Sequence, residues 1–175
     1  MPQRLEWAVE LLDVRPDDQI LEVGCGPGVA VGLVCQRLGR GSVTAIDRSR
    51  TAIERASARN AEHVAAGRAR FACLELAAAG GLGQRFDKVF AVNVNLFWTR
   101  EPSAEIEVLK GLLRSGATLL LCYEAPPGRP ADRTVADVLK SHGFRTTTKS
   151  RSESLICVRA TWRAGVSGRP TPGEG

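Results

Sequence analysis

The sequence predicts an α/β fold: a doubly wound, mostly parallel seven-stranded sheet with helices on both faces and a C-terminal antiparallel hairpin. Three observations predict it. Short apolar β-type runs alternate with helical patterns over almost the whole chain. The fifth run, Ala117 to Cys122, is apolar throughout, as a central parallel strand covered on both faces must be. The last two runs, Thr146 to Ser150 and Ser154 to Trp162, are too close together for a parallel crossover and therefore form a hairpin.

The elements follow in order. Leu5, Ala8, Val9 and Leu12 share one helical face, so residues 3 to 13 read as a short amphipathic helix, ended by Arg15-Pro16-Asp17-Asp18. Ile20 to Val23 is a first strand running into a glycine turn. Val29 to Leu38 is helical and stopped by Gly39 and Gly41. Ser42 to Ile46 is a second strand ending at Asp47, and Ser49 caps a helix running to about Ala66, before Gly67. Arg70 to Leu76 is a third strand, followed by a small-residue loop to Gly83, and Lys88 to Val92 is a fourth. Ser103 caps a helix through Leu113, the fifth strand follows, and a helix from Asp132 or Thr134 closes at His142-Gly143. Residues 1–164 thus form a single domain, and the glycine- and proline-rich residues 165–175 read as a disordered tail.

Bulk properties narrow the function classes. With 175 residues, 43% hydrophobic and 25% charged, the chain has the composition of a globular domain. No run approaches the ~20 apolar residues that span a bilayer, and the charged N-terminus is unlike a signal peptide, so a cytoplasmic protein without a membrane partner is expected. Cys25, Cys35, Cys73, Cys122 and Cys157 are scattered and odd in number, which predicts buried, reduced thiols and no metal site. The net charge of +5 could attract nucleic acid. The basic residues are nevertheless spread along the chain, and only Lys88, Lys110, Lys140 and Lys149 are not arginine, which reads as a compositional bias and a solvated surface.

An open α/β sheet binds ligands at the carboxyl ends of its strands. There, Gly24-Cys25-Gly26-Pro27-Gly28 joins the first strand to its helix. Glycines allow positive φ and let a ligand lie against the backbone. The helix start beyond offers unpaired N–H groups. Asp47 follows Gly24 by 23 residues and ends the second strand, where a carboxylate can accept from both hydroxyls of a ribose. The spacing G-x-G-x-G is not the dinucleotide fingerprint G-x-G-x-x-G, because position 29 is valine.

Leu21-Glu22-Val23-Gly24-Cys25-Gly26-Pro27-Gly28 resembles the first motif of class I S-adenosylmethionine-dependent methyltransferases, including the acidic residue two places before the first glycine. Arg15 to Ile20 resembles the family's approach to that strand, and the element order matches its seven-stranded sheet over residues 3 to 162. The resemblance implies S-adenosyl-L-methionine as cofactor. It implies that Gly24, Cys25, Gly26 and Gly28 run beside the methionine part, with Glu22 orienting the amino group. Asp47 would hold the ribose with Arg48 beside the adenine. Glu75 would take the adenine amino group and Leu76 would pack on the ring, although Leu74 stands where the family commonly has glycine. Asn93, closing the fourth strand, would line the pocket near the sulfonium. Leu113-Arg114-Ser115-Gly116-Ala117 resembles a structural turn of the family.

Each residue also has a plain alternative. Glu22 could pair with a basic neighbour, Glu75 could be an exposed loop residue, and Phe97 and Trp98, after Asn93-Val94-Asn95, could pack under a helix or line an acceptor pocket. Tyr123 and Glu124 could face the same cleft, with Glu124 as a base or as an exposed carboxylate. Methyl transfer from a sulfonium relies chiefly on alignment, so no triad or metal set is expected. With only one short helix before the first strand, the acceptor site is expected to be open, completed by a second subunit as a homodimer, or built for a bulky acceptor. The acceptor is expected to be a small molecule. RNA or protein acceptors and a non-catalytic binding module are the alternatives.

Overall fold

The computed structural model describes residues 2–95, 102–124 and 131–163. The elements are α1 (Gln3–Leu12), β1 (Gln19–Val23), α2 (Val29–Cys35), β2 (Ser42–Asp47), α3 (Arg50–Arg59), α4 (Ala61–Ala65) and β3 (Ala69–Cys73). A 3-10 turn (Leu76–Leu82), β4 (Phe86–Val92), α5 (Ser103–Leu112), β5 (Leu113–Glu124), α6 (Ala131–Ser141), β6 (Arg145–Ser150) and β7 (Leu155–Thr161) complete the chain.

The seven strands lie in the order β3-β2-β1-β4-β5-β7-β6. The first five pair in parallel, and β7 runs antiparallel to both β5 and β6. Strand order reverses between β1 and β4, which places the switch point beside the glycine turn. The predicted architecture is therefore the observed one.

Two apolar layers sandwich the sheet, and strand alternation assigns residues to them. Leu21 and Val23 of β1 face the layer built with Ile106, Leu109 and Leu139 of α5 and α6. Ile20 faces the other layer, with Trp7 and Leu12 of α1, Val31 and Val34 of α2, and Ala56 of α3. Beneath the amino ends of the strands, Lys88 of β4 is nearly buried. Its Nζ lies 2.7 Å from Asp18 Oδ2 and donates to the carbonyl of Asp13. Asp18 also accepts from the Arg15 N–H at 2.7 Å, so the α1–β1 link is bound to the centre of the sheet.

Several expectations are corrected. The helix expected to run to Ala66 is broken at Asn60, whose backbone leaves the helical region at φ −111°, ψ 25°. The helix after the glycine turn ends at Cys35 rather than Leu38. Ser103 does not cap α5, which has Pro102 at its start; the Ser103 hydroxyl instead lies 3.3 Å from His142 Nε2. Ser49 does cap α3, accepting from the Ala52 N–H. Leu113 to Ala117 lies within β5, which begins directly at Leu113, as an irregularity where the register with β4 jumps from Leu113 to Thr118. Gly116, at φ +79°, joins β5 there by donating to the carbonyl of Trp162.

The cysteine expectation fails for one pair. Cys122 and Cys157 are 35 residues apart but stand directly opposite in the β5–β7 register, with Cα atoms 4.1 Å apart, and form a disulfide. Register brings together what sequence spacing separates. Cys25 and Cys35 are buried free thiols, whereas Cys73 is free and exposed. Among the described residues no cluster could hold a metal ion, and no helix is long and apolar enough to cross a membrane. The expected tail lies outside the described residues, as do Phe97 and Trp98.

Candidate cofactor site

Gly24, Gly26 and Gly28 all take positive φ, at +71°, +51° and +74°. The conformation is left-handed at every second residue, which side-chain-bearing residues adopt only at a cost. The space that a side chain would occupy differs at each position. A Cβ on Gly24 would meet Val94 Cγ2 at 2.6 Å, whereas on Gly26 it would meet nothing. The middle glycine alone thus keeps its backbone open to a ligand.

Side chains from neighbouring elements fasten this turn. Asp47 Oδ2 accepts from the Gly26 N–H at 2.9 Å, and its Oδ1 accepts from the Ser49 N–H at 2.9 Å. Gly24 and Cys25 both donate to the carbonyl of Ile46. The end of β2 therefore holds the end of β1 through both main-chain and side-chain bonds.

Glu22 lies behind the turn, 3% exposed, and its Oε2 has no hydrogen-bond partner. Burial is the main reason its pKa rises to about 8, and the Asp47 carboxylate adds to the rise. The same surroundings push the Cys25 thiol well above its ordinary range. Oε2 is thus a buried polar atom left unsatisfied in the folded chain.

A cleft of about 580 Å³ opens in front of the turn, within the range of small-molecule sites. Gly24, Asp47, Arg48, Glu75, Leu76 and Asn93 are on its wall. All six are residues that the sequence singled out. Glu22, Cys25, Gly26 and Gly28 lie behind or beside that wall rather than on it. Glu105, in the first turn of α5 and 4% exposed, is a further lining residue that sequence reasoning missed. Its place in an ordinary amphipathic helix gave no signal.

Asn93 is at φ +57°. Its N–H donates to the carbonyl of Cys122, and its Oδ1 accepts from the Glu124 N–H at 2.7 Å. The side chain thereby ties the exits of β4 and β5 together. Glu124 in turn accepts from Arg4 Nη1 at 3.2 Å, which links α1 to the same corner. Tyr123 does not face the cleft: it is 1% exposed within the layer beneath α5 and α6.

The donor set suits S-adenosylmethionine. Oε2 of Glu22 is buried without a hydrogen-bond partner, Asp47 stands on the cleft wall at the end of β2, and Gly26 leaves open the space a side chain would fill.

The comparisons agree with the fold. The profile of a methyltransferase domain matches residues 20–116, more than half of the chain. The chain belongs to the methyltransferase domain family. YrhH of Bacillus subtilis (strain 168), which bears the name of a methyltransferase, is 24% identical over 152 residues. That match covers 87% of this chain and 82% of YrhH. A SAM-dependent methyltransferase from Aquifex aeolicus has a similar fold, with a TM-score of 0.74 and 19% identity, over 91% of this chain and 93% of its own. The magnesium protoporphyrin IX methyltransferase of Synechocystis PCC 6803, solved with bound SAM, is similar at a TM-score of 0.67 and 24% identity. It covers 91% of this chain and 76% of its own. The family match shows a methyltransferase domain, and S-adenosylmethionine is the ligand held by the Synechocystis protein of similar fold.

Proposed function

We propose that this methyltransferase acts on a small molecule that enters the open cleft beside Asn93, at the carboxyl ends of β4 and β5. The observation that carries this reading is the cleft itself, whose volume suits the cofactor with a modest acceptor rather than a long polymer groove. When bound, the cofactor supplies the electrophilic methyl group. The chain supplies position: Asp47 holds the ribose, Glu22 faces the amino group, Glu75 and Leu76 flank the adenine with Arg48 at the rim, and Asn93 borders the transfer site. The turn from Gly24 through Cys25 and Gly26 to Gly28 lies beside the methionine portion.

A homodimer of this chain would meet largely through polar surface, because Val64 is the one large apolar side chain exposed among the described residues. A cytoplasmic setting is favoured by the free thiols of Cys25, Cys35 and Cys73 and opposed by the Cys122–Cys157 bridge. The net charge of +5 keeps an RNA acceptor as the second reading.

The test is thermal stability with and without S-adenosylmethionine or S-adenosylhomocysteine, on the wild type and Asp47→Ala. A ligand at ~100 times its dissociation constant adds ~2.7 kcal/mol to folding, and the shift is expected in the wild type and lost in the variant. An equal shift in both proteins would remove Asp47 from the site. Salt-sensitive RNA binding together with transfer to RNA would overturn the small-molecule reading in favour of the second one.

A further inference from the structure

Gly28 has a different neighbourhood from the other glycines of the turn. A Cβ there would stand 2.7 Å from Asn60 Nδ2, 2.8 Å from Ala56 Cβ and 2.9 Å from the Ala56 Cα. One helical turn later, a Cβ on Gly32 would stand 3.2 Å from Asn60 Oδ1. The start of α2 thus lies directly on the end of α3, with Gly28 and Gly32 facing Ala56 and Asn60. What removes the side chain at Gly28 is a protein contact, whereas Gly26 faces open space.

Asn60 is 3% exposed, and both hydrogens of its amide nitrogen are used. One goes to the Gly28 carbonyl at 2.9 Å and the other to the Ala56 carbonyl at 2.9 Å. Two carbonyl acceptors fix which side-chain atom is nitrogen. The Gly28 carbonyl receives only a long bond from within its own helix, from the Gly32 N–H at 3.5 Å. Asn60 is therefore its principal partner. Beside it, Arg59 Nε donates to the Pro27 carbonyl at 3.0 Å.

The turn between these anchors is rich in glycine, and glycine loses more freedom on ordering than any other residue. A turn left loose would have to be ordered by the ligand itself, at the expense of affinity. Asp47 holds the middle of the turn from β2, and Asn60 holds its far end from α3.

We propose that Asn60 is a positioning residue of the cofactor site: its buried amide fixes the glycine turn in ligand-binding form before ligand arrives. This rests on the cofactor reading of the cleft. It also explains the break between α3 and α4, because the chain leaves helical geometry at the residue whose side chain turns back to Gly28.

The test compares S-adenosylhomocysteine with adenosine, which lacks the amino-acid part that lies beside the turn. Asn60→Ala and the isosteric Asn60→Asp are titrated with both ligands well below their melting temperatures. Each variant should bind S-adenosylhomocysteine about tenfold more weakly, about 1.4 kcal/mol, with adenosine affinity unchanged. Asn60→Asp should be no better than Asn60→Ala, because an oxygen replaces the donor facing two carbonyl oxygens. Equal losses for the two ligands, or no loss for either, would overturn the proposal. If the wild type binds neither ligand, it is the cofactor reading that fails. A measurement on the wild type needs no variant to fold: hydrogen exchange of the Gly24–Gly32 segment without ligand. Protection already present supports a pre-formed turn. Protection that arises only with S-adenosylhomocysteine overturns it.

Discussion

Burial and the nearby Asp47 carboxylate raise the Glu22 pKa to about 8, against 4.5 for a free glutamate. In the folded chain the acid keeps its proton at neutral pH, while in the unfolded chain it loses it near 4.5. The native state therefore binds more protons between those values, and stability falls as pH rises from about 4.5 to about 8. The Glu22 contribution is fully present below the lower value and lost through the upper one. Glu22→Gln, which cannot titrate, is expected to flatten this dependence by about 3–5 kcal/mol across the window. Denaturant unfolding of both proteins at pH 5 and pH 8 measures it, and parallel pH profiles would show that Glu22 is ionised throughout. The sequence marked Glu22 through its spacing from the glycines. It could not show that the carboxyl lacks a partner, because that depends on the packing of α2 against β1. Glu105 was illegible for a similar reason: only the placement of α5 over the cleft gives it a role.

At the scale of elements, the three glycines of one turn have separate reasons. Gly26→Ala adds a methyl group to open space and should cost about 1 kcal/mol for the left-handed backbone alone. Gly28→Ala adds the same backbone cost and drives a methyl group into Asn60 and Ala56, for a loss of about 3 kcal/mol or more. Urea unfolding of the two variants compares them directly, and equal losses would mean that α2 and α3 separate readily. Apolar runs located most of the strands and helices, since their buried faces must be apolar. The third strand nevertheless ends at Cys73 and not at Leu76, and β6, which has no apolar residue, was marked only by its closeness to β7. Apolar periodicity did not locate the helix break at Asn60, where a side chain competes for backbone partners that only tertiary contact provides. Nor did it find the direct passage from α5 into β5, where the turn-like residues lie in the strand as an irregularity between the Phe86–Leu113 and Lys88–Thr118 pairs.

For the molecule as a whole, the disulfide joins β5 to the last strand, across a loop of 35 residues. Chain-entropy reasoning gives such a link about 3–4 kcal/mol. Replacing both partners, Cys122→Ala with Cys157→Ala, should lower the melting temperature by roughly 10 °C. An unchanged melting temperature would mean that the two thiols are not bonded in the protein as made. The pairing was beyond the reach of spacing rules because β7 enters the sheet between β5 and β6, and only the topology sets those cysteines opposite each other.

That same insertion of β7 has a consequence for synthesis on the ribosome. Translation proceeds from the N-terminus, so β1, β2, α3 and β4 emerge first and can assemble the glycine turn early. Strand β5 must then wait with one edge unpaired, because its neighbour on that side is the last strand to be made. During this interval a strand that is buried from Ala117 to Tyr123 in the finished protein presents open N–H and C=O groups to other nascent chains. The corner where Asn93 and Glu124 meet is completed only when residues 155 to 161 arrive. The Gly24–Gly28 turn is thus made before the corner at Asn93 and Glu124 is complete.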